Sequence, residues 1–259
     1  NAKLLSKELA TALTGRHIPL EILPFDFKEF VKAKNYSLAP IYSSLPEEKA
    51  GALSLLDGYL RNGGFPELVV SNLDPQGYLG VLFDSLLFKD VVKRHKVRFS
   101  RQIDDLGSYL INNVTSAYSL RKLVNILGFK SGVTLEKYLG YLTEAYLLFT
   151  LGRYSPKAGE RIRSPKKVYA VDNGLISAKA IQHSPDNGKL MENLVFVELV
   201  KRGYKPNRDL FYYKTRNVRE VDFVLKKGTE ETELIQVVYQ LKDSATEQRE
   251  IKALTEAEE

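Results

Sequence analysis

The apolar residues of this chain change their spacing close to Gly188, and this change limits the folds that it can adopt. Before Gly188, several segments repeat apolar residues at intervals of three and four, which is the period of an amphipathic helix. Beyond it, one such segment over 191–202 is followed by three runs rich in β-formers, at 211–214, 221–225 and 234–239. The sequence therefore predicts a helical first part and an α/β second part.

Two helix starts are marked by their capping residues. Asp26 is followed three residues later by Glu29, the spacing at which each side chain can cap the backbone amide of the other residue. Asp74 precedes Pro75, which combines an N-cap acceptor with the residue favoured at the first helical position. We therefore predict helices that begin at Phe27 and at Pro75.

Three successive helical patterns in the middle of the chain, followed by two apparent strands, indicate a small module. The helical patterns lie at 103–114, 120–127 and 135–142, and the apparent strands lie at 145–151 and 167–172. This order is typical of a winged helix, in which residues 155–165 would be the loop that joins the two strands.

Composition excludes several classes of site. The chain has no cysteine, which rules out disulfides, thiolate nucleophiles and cysteine-based zinc sites, and its three histidines are too scattered to suggest a metal cluster. There is no run of about 18 apolar residues and no signal-peptide pattern, so we expect a soluble, cytoplasmic protein with no membrane contact. The net charge of +6 favours a polyanionic partner such as DNA.

No segment has the pattern of a nucleotide phosphate-binding loop. Such a loop needs glycines whose backbone amides face phosphate and a lysine followed by serine or threonine. Gly188-Lys189 is followed by leucine and lacks the upstream glycine. We therefore expect no cofactor in this chain and no ATP hydrolysis by the chain alone.

Several short motifs, taken in order, resemble AAA-type ATPases of bacteria and archaea. The motifs are the segments 1–16 and 23–30, Gly63-Gly64-Phe65-Pro66-Glu67, Lys89-Asp90-Val91-Val92-Lys93-Arg94, the segment 188–196, Glu220-Val221-Asp222-Phe223 and Ile235-Gln236-Val237. Together they cover nearly the whole chain. The resemblance identifies the chain as the C-terminal portion of such an ATPase and implies that it is cut at both ends.

The resemblance implies a mixed α/β and α fold in four parts. Residues 1-45 would be the end of the ATPase core, 46-100 a helical connector, 101-187 a winged-helix domain and 188-259 a truncated PD-(D/E)XK nuclease-like domain. For the longer parent protein it implies ATP and Mg²⁺ as cofactors and a P-loop domain as partner, and it leaves a homo-oligomer open.

Arg16 is the residue of this chain that would contact nucleotide in the parent protein. A guanidinium can offset the charge on a transferring phosphoryl group. The alternative is a helix-terminal arginine in a surface ion pair.

The nuclease-like part supplies the candidates for catalysis. In such nucleases a helix glutamate, a strand aspartate and a Glu-x-Lys strand bind a divalent metal and activate water. Glu192 and Asp222 match the first two positions, whereas Gln236-Val237-Val238 replaces Glu-x-Lys. Two carboxylates without the lysine are too few for the usual magnesium site, so we expect no metal and no cleavage, and interpret both acids as packing and docking residues.

A basic segment in the presumed wing is the candidate nucleic-acid contact. It contains one acid, Glu160, and six cations, which are Arg153, Lys157, Arg161, Arg163, Lys166 and Lys167. Such a segment can neutralise several phosphates and release their counterions. The third helix of the module carries Glu136 and Glu144 on its presumed exposed face, so base-specific readout is not expected. A winged helix that serves only for packing is the alternative.

We therefore interpret the chain as the regulatory and DNA- or partner-contacting part of an AAA-type ATPase, with no complete nucleotide or nuclease site. One alternative is a metal-dependent nuclease, against which Gln236 and Val238 argue. The other is a winged-helix DNA-binding transcription regulator, against which the additional α/β part argues.

Overall fold

A computed structural model of the chain describes residues 20–38, 45–71, 73–181, 186–228, 231–240 and 244–258. Arg16 and the whole ATPase-like segment 1–16 lie outside these residues. Within the described ranges, no helix is both long and apolar enough to cross a membrane.

The first part of the chain is helical, as predicted. Its helices are α1 (Phe27–Ala33), α2 (Pro46–Asn62), α3 (Pro66–Val70), α4 (Pro75–Ser85), a π-helix (Leu86–Lys93) and α5 (Ser100–Asn112). Both predicted helix starts are confirmed. Asp26 and Glu29 cap each other's backbone amides at 2.8 Å, and the Asp74 carboxylate accepts the Gly77 N–H at 2.7 Å.

A small antiparallel sheet follows, surrounded by helices. In chain order the elements are β1 (Ala117–Tyr118), α6 (Leu120–Leu127), α7 (Gly132–Glu144), β2 (Leu148–Gly152), α8 (Ala158–Arg163) and β3 (Lys166–Ala170). Strand β3 lies between β1 and β2, and Leu148 pairs with Ala170.

The segment 155–165 was predicted to be a loop, but it contains helix α8. The Ser155 hydroxyl accepts the Lys157 N–H at 3.2 Å and donates to Glu160 Oε2 at 2.8 Å. These bonds close the turn from which the helix begins, a use of serine that spacing alone did not reveal.

The second part is α/β, as predicted. Helix α9 (Asn173–Lys179) ends the first part, and the elements of the second are α10 (Asn187–Lys201), β4 (Leu210–Lys214), β5 (Glu220–Lys227), β6 (Glu231–Ile235) and α11 (Ser244–Glu258). The three strands form an antiparallel sheet in the order β4-β5-β6. The prediction of a mixed α/β chain is confirmed.

The last strand ends earlier than the predicted run at 234–239. Leu234 and Ile235 pair with Val224 and Phe223, but the Val237 N–H then donates to the Asp222 carboxylate at 2.9 Å. The Val237 N–H therefore bonds to the Asp222 side chain instead of continuing the backbone pairing between β5 and β6.

The two sheets meet edge to edge, with β2 beside β4. Arg153 forms a parallel bridge to Tyr212, and the Tyr154 N–H donates to the Tyr212 carbonyl at 2.7 Å. Leu151 and Tyr169 of the first sheet are buried in the same apolar cluster as residues of α10, β4 and β5. The helices of the first part surround a second cluster, which extends from Leu60 to Leu190.

The Gly63-Gly64 motif lies against a buried aspartate. The Asp172 carboxylate accepts the N–H of Gly64 at 2.7 Å and that of Gly174 at 2.8 Å. A Cβ on Gly63, whose φ is +74°, would lie 1.7 Å from Asp172 Oδ1. The glycine is therefore required where α2 approaches the end of β3.

Candidate functional site

Lys167 is a buried lysine at the junction of the two sheets. Its side chain is 1% exposed, and its ammonium nitrogen lies 2.8 Å from Glu192 Oε1, 2.7 Å from Glu220 Oε1 and 3.5 Å from Asp222 Oδ1. We call these four residues the lysine cluster. A buried ammonium is stable only when charged or polar partners surround it, and three carboxylates do so here.

Strand alternation brings the charged groups of the lysine cluster onto facing surfaces. Lys167 and Tyr169 are two residues apart on β3, and Glu220 and Asp222 are two residues apart on β5. From α10, Oε1 of Glu192 accepts hydrogen bonds from the Lys167 ammonium and from the Tyr169 hydroxyl, each at 2.8 Å.

Aromatic packing holds α10 against β3. The Phe196 ring stacks on the Tyr169 ring with 4.0 Å between their centroids. Because Phe196 is one helical turn beyond Glu192, this stacking fixes the position of Glu192 along β3, opposite Lys167.

The charges of the lysine cluster act on one another in opposite directions. Burial raises the pKa of Glu192 and of Asp222, and although Lys167 lowers both, the net pKa stays above the usual value. Burial lowers the pKa of the Lys167 ammonium, but the three carboxylates outweigh burial and hold that pKa above its usual value. Lys167 is therefore a permanent cation at neutral pH.

Gln236 lies beside the lysine cluster rather than in it. Its Oε1 accepts the Asp222 N–H at 3.3 Å, and its Nε2 donates to Glu250 Oε2 of α11 at 2.8 Å. The amide thus joins the backbone of β5 to the last helix. A carboxylate at this position would place a negative charge against Glu250, which explains why an amide suits this environment.

The arrangement does not fit a metal ion. Among the described residues, no group of three histidine, aspartate or glutamate side chains is placed to hold one. The Lys167 ammonium contacts one oxygen of each carboxylate in its cluster, so a cation already lies where these three oxygens converge. The structure thus brings together Glu192 and Asp222, two of the candidates for catalysis, but it places a lysine between them.

Sequence reasoning missed two members of this site and misplaced a third. Tyr169 was not singled out, and Glu220 was named only as part of a resemblance motif and not as a site residue, although their spacing of two from Lys167 and Asp222 was a usable signal. Lys167 was grouped with the phosphate-contacting cations, but it is buried and paired with acids, so it is not part of an exposed surface.

The other predicted cations do form an exposed surface, apart from one. Lys157, Arg161, Arg163 and Lys166 are exposed, and we call them the basic face. Arg163 Nε donates to the Gly159 carbonyl at 3.1 Å, while Lys157 Nζ lies 3.3 Å from Glu160, the acid on α8. These four cations are therefore arranged on and beside one short helix.

Arg153 anchors the basic face instead of belonging to it. This half-buried side chain donates from Nη2 to the Lys214 carbonyl at 2.8 Å. The Tyr212 hydroxyl donates to the Pro165 carbonyl at 2.6 Å, next to Lys166. Both ends of the segment that carries α8 are thus fixed to β4.

The basic face adjoins the lysine cluster. Lys166 precedes Lys167, and Glu220, the most exposed member of the cluster with a 33% exposed side chain, also pairs with Lys214 at 3.3 Å. The cluster therefore meets solvent at Glu220, beside exposed cations.

Comparison with known proteins divides the chain close to Gly188. The family described as "Domain of unknown function (DUF8612)" matches residues 53–186, and the family described as "Domain of unknown function (DUF4143)" matches residues 187–259. Lys167 lies in the first range, and the three carboxylates of its cluster lie in the second.

The similar curated proteins are longer than this chain. The chain is 40% identical to an uncharacterized protein of Methanocaldococcus jannaschii, over 99% of this chain and 57% of that protein. It is 30% identical to an uncharacterized protein of Haemophilus influenzae, over 95% of this chain and 59% of that protein. The chain thus spans less than two thirds of these relatives. No solved structure matches it.

Proposed function

The chain belongs to the family described as "Domain of unknown function (DUF8612)", and from this premise we propose that it is the non-catalytic, DNA-contacting portion of a longer AAA-type ATPase. Two findings support the assignment to an ATPase. The second matched family, DUF4143, is often found at the C-terminus of AAA-type ATPases. The relatives extend well beyond the aligned region, which leaves room for a P-loop domain.

ATP and Mg²⁺ belong, in this proposal, to the P-loop domain of the longer protein. Arg16 is the residue of this chain proposed to contact the nucleotide there, for the electrostatic reason given above. The test is ATP turnover by the longer protein with Arg16→Ala beside Arg16→Lys. Loss of ATP turnover in the alanine variant, with ATP affinity retained, supports the proposed contact between Arg16 and the nucleotide. Unchanged turnover in both variants contradicts it.

The element order supports a winged helix as the DNA-contacting unit. Helix α5, strand β1, helices α6 and α7, and strands β2 and β3 follow one another in the order of such a module. In this arrangement the connection between β2 and β3 is the wing. Unlike a simple loop, it carries α8 and the basic face.

One observation carries the proposed function. Four exposed cations lie on or beside α8, and the segment that carries them is fixed to β4 at both ends, by Arg153 and by Pro165. A surface that is already ordered loses less conformational entropy when it contacts phosphates. Backbone phosphates, rather than bases, are the groups that such a cluster contacts.

The lysine cluster is proposed to join the two matched regions rather than to cleave DNA. In favour of a nuclease, Lys167 supplies an ammonium beside Glu192 and Asp222, which replaces the missing lysine of the Glu-x-Lys strand. Against it, a metal ion would have to displace that ammonium from a buried position. We therefore favour a structural role for the lysine cluster.

The test of the proposed function is the salt dependence of DNA binding. We expect the chain to bind unrelated 20-base-pair duplexes with similar affinity, measured by fluorescence anisotropy between about 50 and 200 mM salt. Replacing Arg161 and Arg163 together by alanine should flatten the slope of log affinity against log salt by roughly 2, because each lost phosphate contact contributes about 0.9.

A matched control uses two arginines elsewhere on the surface. Arg202 and Arg208 have side chains that are 66% and 71% exposed, and the Arg202→Ala, Arg208→Ala double variant removes the same charge. It should leave the slope unchanged. Equal slopes for the two double variants would contradict the proposal, and so would a parent chain that binds no duplex at low salt. Metal-dependent cleavage of labelled DNA by the parent chain would instead favour the nuclease.

A further inference from the structure

A β-branched residue holds a left-handed backbone conformation at the exposed turn between β4 and β5. Val218 has a φ of +63°, and its side chain is among the exposed large apolar ones, at 75%. This conformation is unfavourable for valine, because the Cβ approaches the following carbonyl oxygen. Two hydrogen bonds close the turn, from the Thr215 N–H to the Arg219 carbonyl at 2.8 Å and from the Val218 N–H to the Thr215 carbonyl at 3.1 Å.

The carboxylate of Glu256, on α11, accepts hydrogen bonds from alternate residues of this turn. Glu256 Oε1 accepts Arg219 Nε at 2.8 Å, and its Oε2 accepts the Thr215 hydroxyl at 3.1 Å. Although burial raises the pKa of Glu256, hydrogen bonds from Arg219, Asn217 and Thr215 outweigh it and lower that pKa below its usual value. The intervening residues, Arg216 and Val218, are exposed. The turn is thus held from one side and presents an arginine and a valine to solvent.

The turn lies on the same edge of the molecule as the basic face. Strands β2 and β4 are parallel where Arg153 bridges to Tyr212, so the connections that follow them leave in the same direction. Arg153 also donates to the carbonyl of Lys214, the last residue of β4 before the turn. The α8 segment and the turn are therefore neighbours.

We propose that the turn at residues 215–219 enters the minor groove of a DNA duplex whose phosphates contact the basic face, with Val218 as an apolar wedge against a base step and Arg216 lying in the groove. Proteins that bind the minor groove combine arginine side chains with apolar residues that partly unstack a base step and kink the duplex. The charge of the surroundings favours this partner, because Arg216 and the basic face together offer five exposed cations. The inference rests on the proposed function and extends it to the shape of the bound DNA.

The experiment measures bending of a duplex that carries a fluorescent donor and an acceptor at its ends. We expect the chain to shorten the end-to-end distance of an A·T-rich 20-base-pair duplex, as a kink of about 20–90° requires. Val218→Gly removes the wedge while allowing the same φ. It should abolish the shortening and lower the affinity less than tenfold. Arg216→Ala should flatten the salt slope by about 0.9.

A control variant separates the wedge from general loss of exposed apolar surface. Val81 of α4 is 67% exposed, and Val81→Ala should bend the duplex as the parent does. A Val218→Gly variant that bends DNA as strongly as the parent would overturn the inference.

The two proposals fail in different ways. If the chain binds duplexes through Arg161 and Arg163 but does not bend them, the proposed function stands and the wedge is wrong. If it binds no duplex at all, both are wrong. If bending is lost in Val218→Gly while phosphate contact persists, both are supported.

Discussion

The ammonium nitrogen of Lys167 lies 2.8 Å from Oε1 of Glu192, and these two residues come from the two different matched regions of the chain. The contact is buried, and the same nitrogen also contacts carboxylate oxygens of Glu220 and Asp222. Three carboxylates and one ammonium therefore hold β3 against the following α/β part. A charge pair of this kind is most sensitive to the loss of one partner.

Lys167→Met should destabilise the chain by about 3–5 kcal/mol, because it leaves buried carboxylates without their cation. Urea unfolding followed by circular dichroism measures the change. The control is Lys166→Met, one residue earlier and exposed, which should change stability by no more than about 0.5 kcal/mol. Adding Asp222→Asn to Lys167→Met should recover part of the loss, since it removes one of the uncompensated charges. Equal midpoints for the two methionine variants would show that the cluster contributes little.

Stability should fall with rising pH because of Asp172. Burial raises the pKa of this carboxyl from 3.8 to about 6, against the hydrogen bonds from Gly64 and Gly174. Since the folded pKa exceeds the unfolded one, the folded state binds the proton more tightly. The contribution is thus complete below about pH 4 and is lost as pH rises through 6.

The loss attributable to Asp172 is on the order of 3 kcal/mol, at 1.36 kcal/mol for each unit of pKa difference. Subtracting the unfolding free energy of Asp172→Asn from that of the parent at each pH isolates this group. The difference should decrease between pH 4 and pH 7. A difference that stays flat would show that the carboxyl titrates as it does in water, and one that rises would show that folding lowers its pKa.

Gly63→Ala should destabilise the chain by about 3 kcal/mol or more. The new Cβ would lie 1.7 Å from the buried Asp172 carboxylate, and the φ of +74° is unfavourable for alanine. Gly58→Ala inside α2, the helix that ends just before Gly63, is the control, because its Cβ would have no heavy atom within 4 Å. It should stabilise the chain by about 0.5–1 kcal/mol through helix propensity. Thermal unfolding of both variants compares them, and a similar melting temperature would contradict the close approach.

Val218→Gly should leave the stability of the chain within about 1 kcal/mol of the parent. Glycine removes an αL penalty of about 1–2 kcal/mol but costs about 0.5–1 kcal/mol in unfolded-state entropy. This prediction checks that the variant used for DNA bending is folded. A loss above roughly 2 kcal/mol in urea unfolding would mean that the valine packs against the protein rather than facing solvent.

Local sequence patterns were enough to predict most of the elements. The capping pair Asp26 and Glu29, the Asp74-Pro75 start and the apolar runs that became β2, β3, β4 and β5 depend on neighbours a few residues away. The class of fold followed from them, because period and capping are local properties. The predicted end of β6 was wrong, because it depends on a side chain 15 residues away in the chain. The carboxylate of Asp222 accepts the Val237 N–H and ends β6 before the predicted run does.

The sequence by itself determined the alternation that puts Lys167 with Tyr169, and Glu220 with Asp222, on one face of a strand each. Only the tertiary structure decided which faces meet. Lys167 is 25 residues from Glu192 and 55 from Asp222 along the chain, and β2 and β4 had to join edge to edge before these side chains could touch. A lysine among five other cations looks like a surface residue in sequence. It became a buried partner of three acids because burial and charge pairing depend on the groups that surround a side chain in space.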